Sequence, residues 1–340
     1  MTGGTRDGAR RVRSVAAMTA LVAQHLRKTY RTRGRGRPPV VALDDVSLSV
    51  GPGEVAGVLG RNGAGKSTTV ELLAGARAPD AGRVRVLGLD PRADRGRVRG
   101  VLGVQLQGAY LHGALTVREL VRLYRSFYPR GLDPDRLIER VGLGASRDVR
   151  FEKLSGGQQQ RVSVALALVG APRAVILDEL TTGLDPEARR SMWSLVEDLR
   201  ADGVTVLLVS HLMEEVERLC DHVTILDAGR VVARGTADQL VDRAGLQPTV
   251  TLRTDDPGAA DLLARLPAVE HVDTTGPRLV VTGAAATGST TTDDPARGDL
   301  LHAVGAALAA AGVVATETQL RRPTLDDAFL ALTGDPLEAS

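Results

Sequence analysis

The sequence predicts an α/β protein built on a mainly parallel sheet, followed by a smaller α+β unit. Three observations carry that expectation. Short apolar segments alternate with amphipathic ones up to about residue 245, the pattern of strands buried on both faces and joined by helices. One of these strands, Glu54 to Leu59, runs into a glycine-rich turn and then into residues of helical composition. Near residue 245 the character changes, and the remaining strands and helices form a separate set.

Length and composition bound the possibilities. The chain has 340 residues, enough for a sizeable core plus a second unit. Hydrophobic residues make up 43% and charged residues 25%, so the chain reads as globular. Cys220 is the single cysteine, which excludes an internal disulfide and favours a reducing compartment. The longest apolar stretch, Val304 to Ala315, is shorter than the roughly 18 residues a membrane span needs. No apolar core follows the N-terminal arginines, so no secretory signal is expected. The net charge is +2 but unevenly spread: residues 1–37 hold ten Lys/Arg against Asp7 alone. Within them Arg31, Arg33, Arg35 and Arg37 read as a solvated loop; lipid headgroups or nucleic acid are the sharper alternative. Lysine occurs three times against 40 arginines, so each lysine is informative.

Residues 1–18 read as a disordered lead and 19–245 as the main domain. Leu21 to Leu26 and Val40 to Val50 are expected as strands around the Arg-rich loop. The strand Glu54 to Leu59 and the helix Lys66 to Leu73 follow. Residues 108–150 form a helical insert, with Val117, Leu120, Val121 and Tyr124 on one face of its first helix and Pro134 to Val141 as its second. A helix from Gly156 to Val169, a strand Ala174 to Leu177, a helix Pro186 to Ala201 and a strand Val204 to Val209 come next. Leu212, Val216 and Leu219 line a further helix. Val223 to Leu226 and Val231 to Arg234 form a hairpin around Asp227-Ala228-Gly229. In the C-terminal unit (246–336), Thr249 to Arg253, Val269 to Thr274 and Arg278 to Thr282 read as strands. Ala259 to Leu266 and Asp299 to Ala311 read as helices, and 284–298 as a polar loop. A ferredoxin-like arrangement is one reading of this unit.

Three segments carry chemistry. Gly60-Arg61-Asn62-Gly63-Ala64-Gly65-Lys66-Ser67, followed by Thr68, fits G-x-x-x-x-G-K-[ST] between a strand and a helix. Its glycines let backbone N–H groups converge on phosphate oxygens, and the helix N-terminus adds a positive dipole end. Lys66 supplies a point charge for the β- and γ-phosphates, and the Ser67 hydroxyl can ligate Mg²⁺. Alone, this loop means a nucleoside triphosphate without choosing among kinase, GTPase and ATPase. The strand ending in Asp178-Glu179 puts two carboxylates at the sheet edge where ligands bind. Asp178 is placed to hold Mg²⁺ through water, and Glu179 to polarise the attacking water. Ser155-Gly156-Gly157-Gln158 opens a helix with a serine N-cap and makes a second anion site. Two anion sites far apart on one chain invite a head-to-tail pair, with each ATP between the Gly60 loop of one chain and the Ser155 loop of the other.

With these motifs in this order, residues 20–240 resemble the nucleotide-binding subunits of ABC transporters. The resemblance implies further roles. Tyr30 sits where the family stacks an aromatic ring on adenine. Gln107 sits at the glutamine that touches Mg²⁺ and faces the membrane partner. Asp185, in Gly183-Leu184-Asp185, sits in the loop that crosses the dimer interface, and also reads as an N-cap before Pro186. His211 looks like the histidine that contacts the γ-phosphate. Leu180 and Leu106 stand where the family usually has proline. The closing segment Pro323 to Gly334 resembles that of the antibiotic-resistance type, as in daunorubicin/doxorubicin exporters.

The resemblance implies an ATPase with ATP and Mg²⁺ as cofactors, a homodimer on ATP binding, and a separate integral-membrane permease as partner. It implies a peripheral position at the cytoplasmic face of the membrane, export as the direction, and no nucleic-acid partner. A soluble ATPase of the same family or a nucleotide-regulated binding module are the alternatives.

Overall fold

The computed structural model describes residues 19–31, 38–105, 111–284 and 299–334. The expected lead, most of the Arg-rich loop, Leu106, Gln107 and most of the 284–298 loop lie outside the described residues. The chain divides into two compact units, one running to Thr236 and the other beginning at Ala237.

The first unit is built on a six-stranded sheet. Its order is β5 (Leu102–Gln105), β6 (Ala174–Asp178), β7 (Thr205–Ser210), β3 (Val55–Gly60), β8 (His222–Asp227) and β9 (Arg230–Gly235). Neighbours from β5 to β8 are parallel, and β9 closes the edge antiparallel to β8. Every residue of β3, β6 and β7 is buried, which is why these strands read as continuous apolar runs. The β8–β9 turn places Ala228 and Gly229 at φ 44° and 77°, the positive pair that a tight two-residue hairpin requires.

A three-stranded antiparallel sheet, ordered β2 (Val40–Val50), β1 (Leu21–Tyr30) and β4 (Ala81–Val86), forms the second layer. Leu21, Ala23, Leu26, Leu43, Val46 and Leu48 pack with Val70, Leu72 and Leu73 of the helix Lys66–Leu73. The helices Val117–Ser126 and Pro134–Arg140 are the expected insert. Thr116 and Glu119 cap the first reciprocally, and Val117, Leu120, Val121, Leu137 and Ile138 join the core formed with Gly156–Leu168.

The second unit runs β10 (Thr249–Arg253), helix Ala259–Ala264, β11 (Val269–Thr275), β12 (Arg278–Gly283), helix Asp299–Ala310 and β13 (Thr316–Arg321). The sheet order is β11-β12-β10-β13, with antiparallel neighbours throughout. This is the ferredoxin-like β-α-β-β-α-β arrangement. Val250, Leu252, Leu263, Val281 and Val304 lie in its own core. Helix Ala237–Arg243 belongs to this unit because it packs against the helix Leu325–Thr333.

Candidate functional site

Strand order decides where the chemistry gathers. β6, β7 and β3 are adjacent and parallel, so their C-terminal ends share one sheet edge. Register aligns Asp178 with Val209, and Leu59 with Ser210. The Gly60 loop, the Asp178-Glu179 pair and the Ser210-His211 turn therefore emerge side by side.

The loop after β3 is shaped by its glycines. Gly65 sits at φ +103° as the N-cap of the helix Lys66–Leu73, and a Cβ there would lie 2.6 Å from the Ala42 carbonyl oxygen. Only glycine avoids that contact and that strain. Lys66 is buried, and its Nζ donates to the carbonyl oxygens of Gly60 at 2.6 Å and Arg61 at 3.1 Å. Burial lowers its pKa, while the carboxylates of Glu179 and Asp178 pull it back up. Ala64 is buried; Asn62, Gly63 and Ser67 are exposed, and Arg61 and Thr68 are half-buried.

Asp178 is buried, and its backbone N–H donates to Gln105 Oε1 at 2.9 Å. Burial, with the neighbouring Glu179 charge, pushes the Asp178 carboxyl up to about 6, and Lys66 opposes the shift. A buried carboxyl beside a second carboxyl gains from a cation, and these carboxylates and the exposed Ser67 hydroxyl are the hard oxygen donors that Mg²⁺ takes. Glu179 has φ +52°, a left-handed conformation unusual for a residue with a side chain. Its neighbours hold it there. Glu179 N–H donates to the Val209 carbonyl at 2.8 Å, Gln160 Nε2 donates to the Glu179 carbonyl at 3.4 Å, and Leu180 is fully buried behind it. His211 Nδ1 stands 3.5 Å from Glu179 Oε1, close to it but outside hydrogen-bond geometry.

Tyr30 ends β1 near the same helix: its hydroxyl lies 3.4 Å from Thr68 Oγ1 and donates to Glu71 Oε2 at 3.3 Å. The Arg77 guanidinium lies 5.3 Å from its ring centroid. Ser155 and Gln158 form a reciprocal capping box on the helix Gly156–Leu168, with Ser155 N–H donating to Gln158 Oε1 at 3.0 Å. That helix end is open: Ser155 and Gly156 are exposed, and a Cβ on Gly156 would meet nothing within 4 Å. Gly157 is half-buried. Asp185 accepts from Glu187 and Ala188 N–H groups, which hold its carboxyl below the usual range and cap the helix Pro186–Ala201. Gln107 lies outside the described residues. Gln105 and Gln160 escaped the sequence reading, because nothing in their local pattern tells that they brace Asp178 and Glu179.

Known proteins resemble this chain along most of its length. The ABC transporter family model matches residues 43–182. The chain is 39% identical to a daunorubicin resistance ATP-binding protein of Streptomyces coeruleorubidus, over 86% of this chain and 92% of that one. It is 34% identical to a doxorubicin resistance ATP-binding protein of Mycobacterium tuberculosis, over 94% and 95% of the two chains. A Nod factor export ATP-binding protein of Neorhizobium galegae is 35% identical over 87% and 82%. Among solved structures, an ATP-binding cassette dimer in a post-hydrolysis state with ADP and Pi matches with TM-score 0.59 and 26% identity, covering 64% of this chain and 98% of that one. The chain belongs to the ABC transporter family, as an ATP-binding subunit.

Proposed function

We propose that this chain hydrolyses ATP with Mg²⁺ at two composite sites formed by a pair of chains, and that hydrolysis drives export through a separate membrane permease. The convergence of Lys66, Asp178, Glu179 and His211 at one sheet edge carries the reading. The backbone N–H groups of Gly60 to Thr68 and the Lys66 ammonium hold the phosphates, and Tyr30 takes the adenine. Ser67 and Asp178, with Gln107, would hold Mg²⁺, which would supply charge neutralisation of the phosphates. Glu179 orients and polarises the attacking water, and His211 steadies both Glu179 and the γ-phosphate. The Ser155–Gln158 helix end completes the site of the opposite chain, and Asp185 lies at the same interface.

Relatives named for daunorubicin and doxorubicin resistance support a drug as cargo, and one named for Nod factor export supports the direction. Among the described residues no helix is long and apolar enough to cross a membrane. Membership of the ABC transporter family supports a separate permease as the pathway and a place for this chain at the cytoplasmic face. We place the ATPase domain at residues 19–236 and the accessory domain from Ala237 onward, so the boundary expected at 245/246 moves to the start of helix Ala237–Arg243.

Glu179→Gln tests the reading. The variant is expected to bind ATP, to accumulate as an ATP-bound dimer in sedimentation, and to hydrolyse at least about a hundredfold more slowly. Hydrolysis at the wild-type rate contradicts the role of Glu179.

A further inference from the structure

Glu215 lies in the helix Met213–Leu219, just behind the turn that carries His211, and it is fully buried. Nothing in the proposed chemistry uses it. A buried carboxyl is costly where an apolar residue would pack, so packing alone does not account for it. The hydroxyls of Ser210 and Thr181 and the indole N–H of Trp193 lie beside this carboxyl, outside hydrogen-bond geometry. Burial pushes its pKa up, and those three donors act against the shift. Neither carboxyl oxygen is held in hydrogen-bond geometry in this conformation, and Thr181 Oγ1 and Trp193 Nε1 likewise lack partners.

The donors come from two turns of the site. Ser210 ends β7 and precedes His211; its Oγ already accepts from Leu212 N–H at 3.0 Å, which leaves the hydroxyl proton for Glu215. Thr181 follows β6, two residues after Glu179, and is fully buried. One buried carboxyl thus lies beside both the segment bearing His211 and the segment bearing Glu179, the two side chains that stand 3.5 Å apart.

We infer that Glu215 is a positioning residue for ATP hydrolysis: it ties the His211 turn, through Ser210, to the Glu179 turn, through Thr181. A short shift of either turn brings the donors onto the carboxyl, so satisfying Glu215 and aligning His211 with Glu179 are one movement. The inference rests on the roles proposed above for Glu179 and His211.

The experiment compares Glu215→Gln, Thr181→Val, His211→Ala and the double variant His211→Ala/Glu215→Gln in the full chain. Glu215→Gln is expected to lower kcat about tenfold or more, with KM and binding of a fluorescent ATP analogue changed by no more than about twofold. The double variant is expected within about twofold of His211→Ala, because Glu215 acts through that histidine. Wild-type kcat in Glu215→Gln, or effects that multiply in the double variant, overturns the inference. If His211→Ala hydrolyses normally, the proposed role of His211 fails as well; if it is impaired while Glu215→Gln is normal, only the inference fails. Should Glu215→Gln not fold, Thr181→Val carries the same test, with the same fall in kcat at constant KM expected and an unchanged kcat overturning it.

Discussion

Lys66 shows how a single residue is prepared for its ligand. Its ammonium is buried and rests on two loop carbonyls, Gly60 and Arg61, which phosphate oxygens can replace. Charge-assisted hydrogen bonds of this kind are each worth about 1.5–3 kcal/mol. Lys66→Ala is therefore expected to weaken ATP binding by roughly 30-fold or more, read by titration with a fluorescent ATP analogue. Unchanged affinity contradicts the loop's assignment. Lys66, Asp178 and Glu179 were legible in the sequence because their meaning lies in short, contiguous motifs. Gln105 and Glu215 were not. A buried polar side chain takes its meaning from its surroundings: Gln105 accepts from Asp178, and Glu215 lies beside Ser210, Thr181 and Trp193, all on other segments. The left-handed backbone of Glu179 was equally hidden, since it is imposed by Val209, Gln160 and the buried Leu180.

Elements were legible in proportion to their burial. β3, β6 and β7 are buried throughout and announce themselves as apolar runs. β13 escaped notice because it is largely exposed and rich in polar residues, β4 because only Val84 and Val86 of it are buried, and β5 because it has only four residues. The helix Gly156–Leu168 combines a buried body with an exposed end, and these have separable roles. Ser155→Ala removes one cap and is expected to cost about 1 kcal/mol of stability, visible as a lowered denaturation midpoint. Ser155→Arg puts a bulky cation at the open end. It is expected to block hydrolysis while the single chain still binds ATP, because the Gly60 loop is untouched. Normal turnover in Ser155→Arg argues against a site shared between chains.

At the scale of the whole molecule, the two units have separate cores. Apolar clusters within the first include Val58, Val175 and Leu208, and one within the second includes Val250, Val281 and Val304. The division at Thr236/Ala237 falls before the change of character near residue 245, because helix Ala237–Arg243 is held by Leu325–Thr333 rather than by its sequence neighbours. Separate cores predict unfolding that is not two-state, with two overlapping transitions in calorimetry. The residues proposed to hold nucleotide all belong to the first unit, so a ligand bound by them stabilises only that unit directly. ATP with Mg²⁺ at about 100 times Kd adds roughly 2.7 kcal/mol to the state that binds it. For a domain of that size this raises the midpoint by on the order of 5–10 °C. The Glu179→Gln variant, which holds ATP without consuming it, is suited to the measurement. The first unit's transition is expected to move up and the second unit's to stay in place. A single transition shifted as a whole contradicts the independence of the two cores.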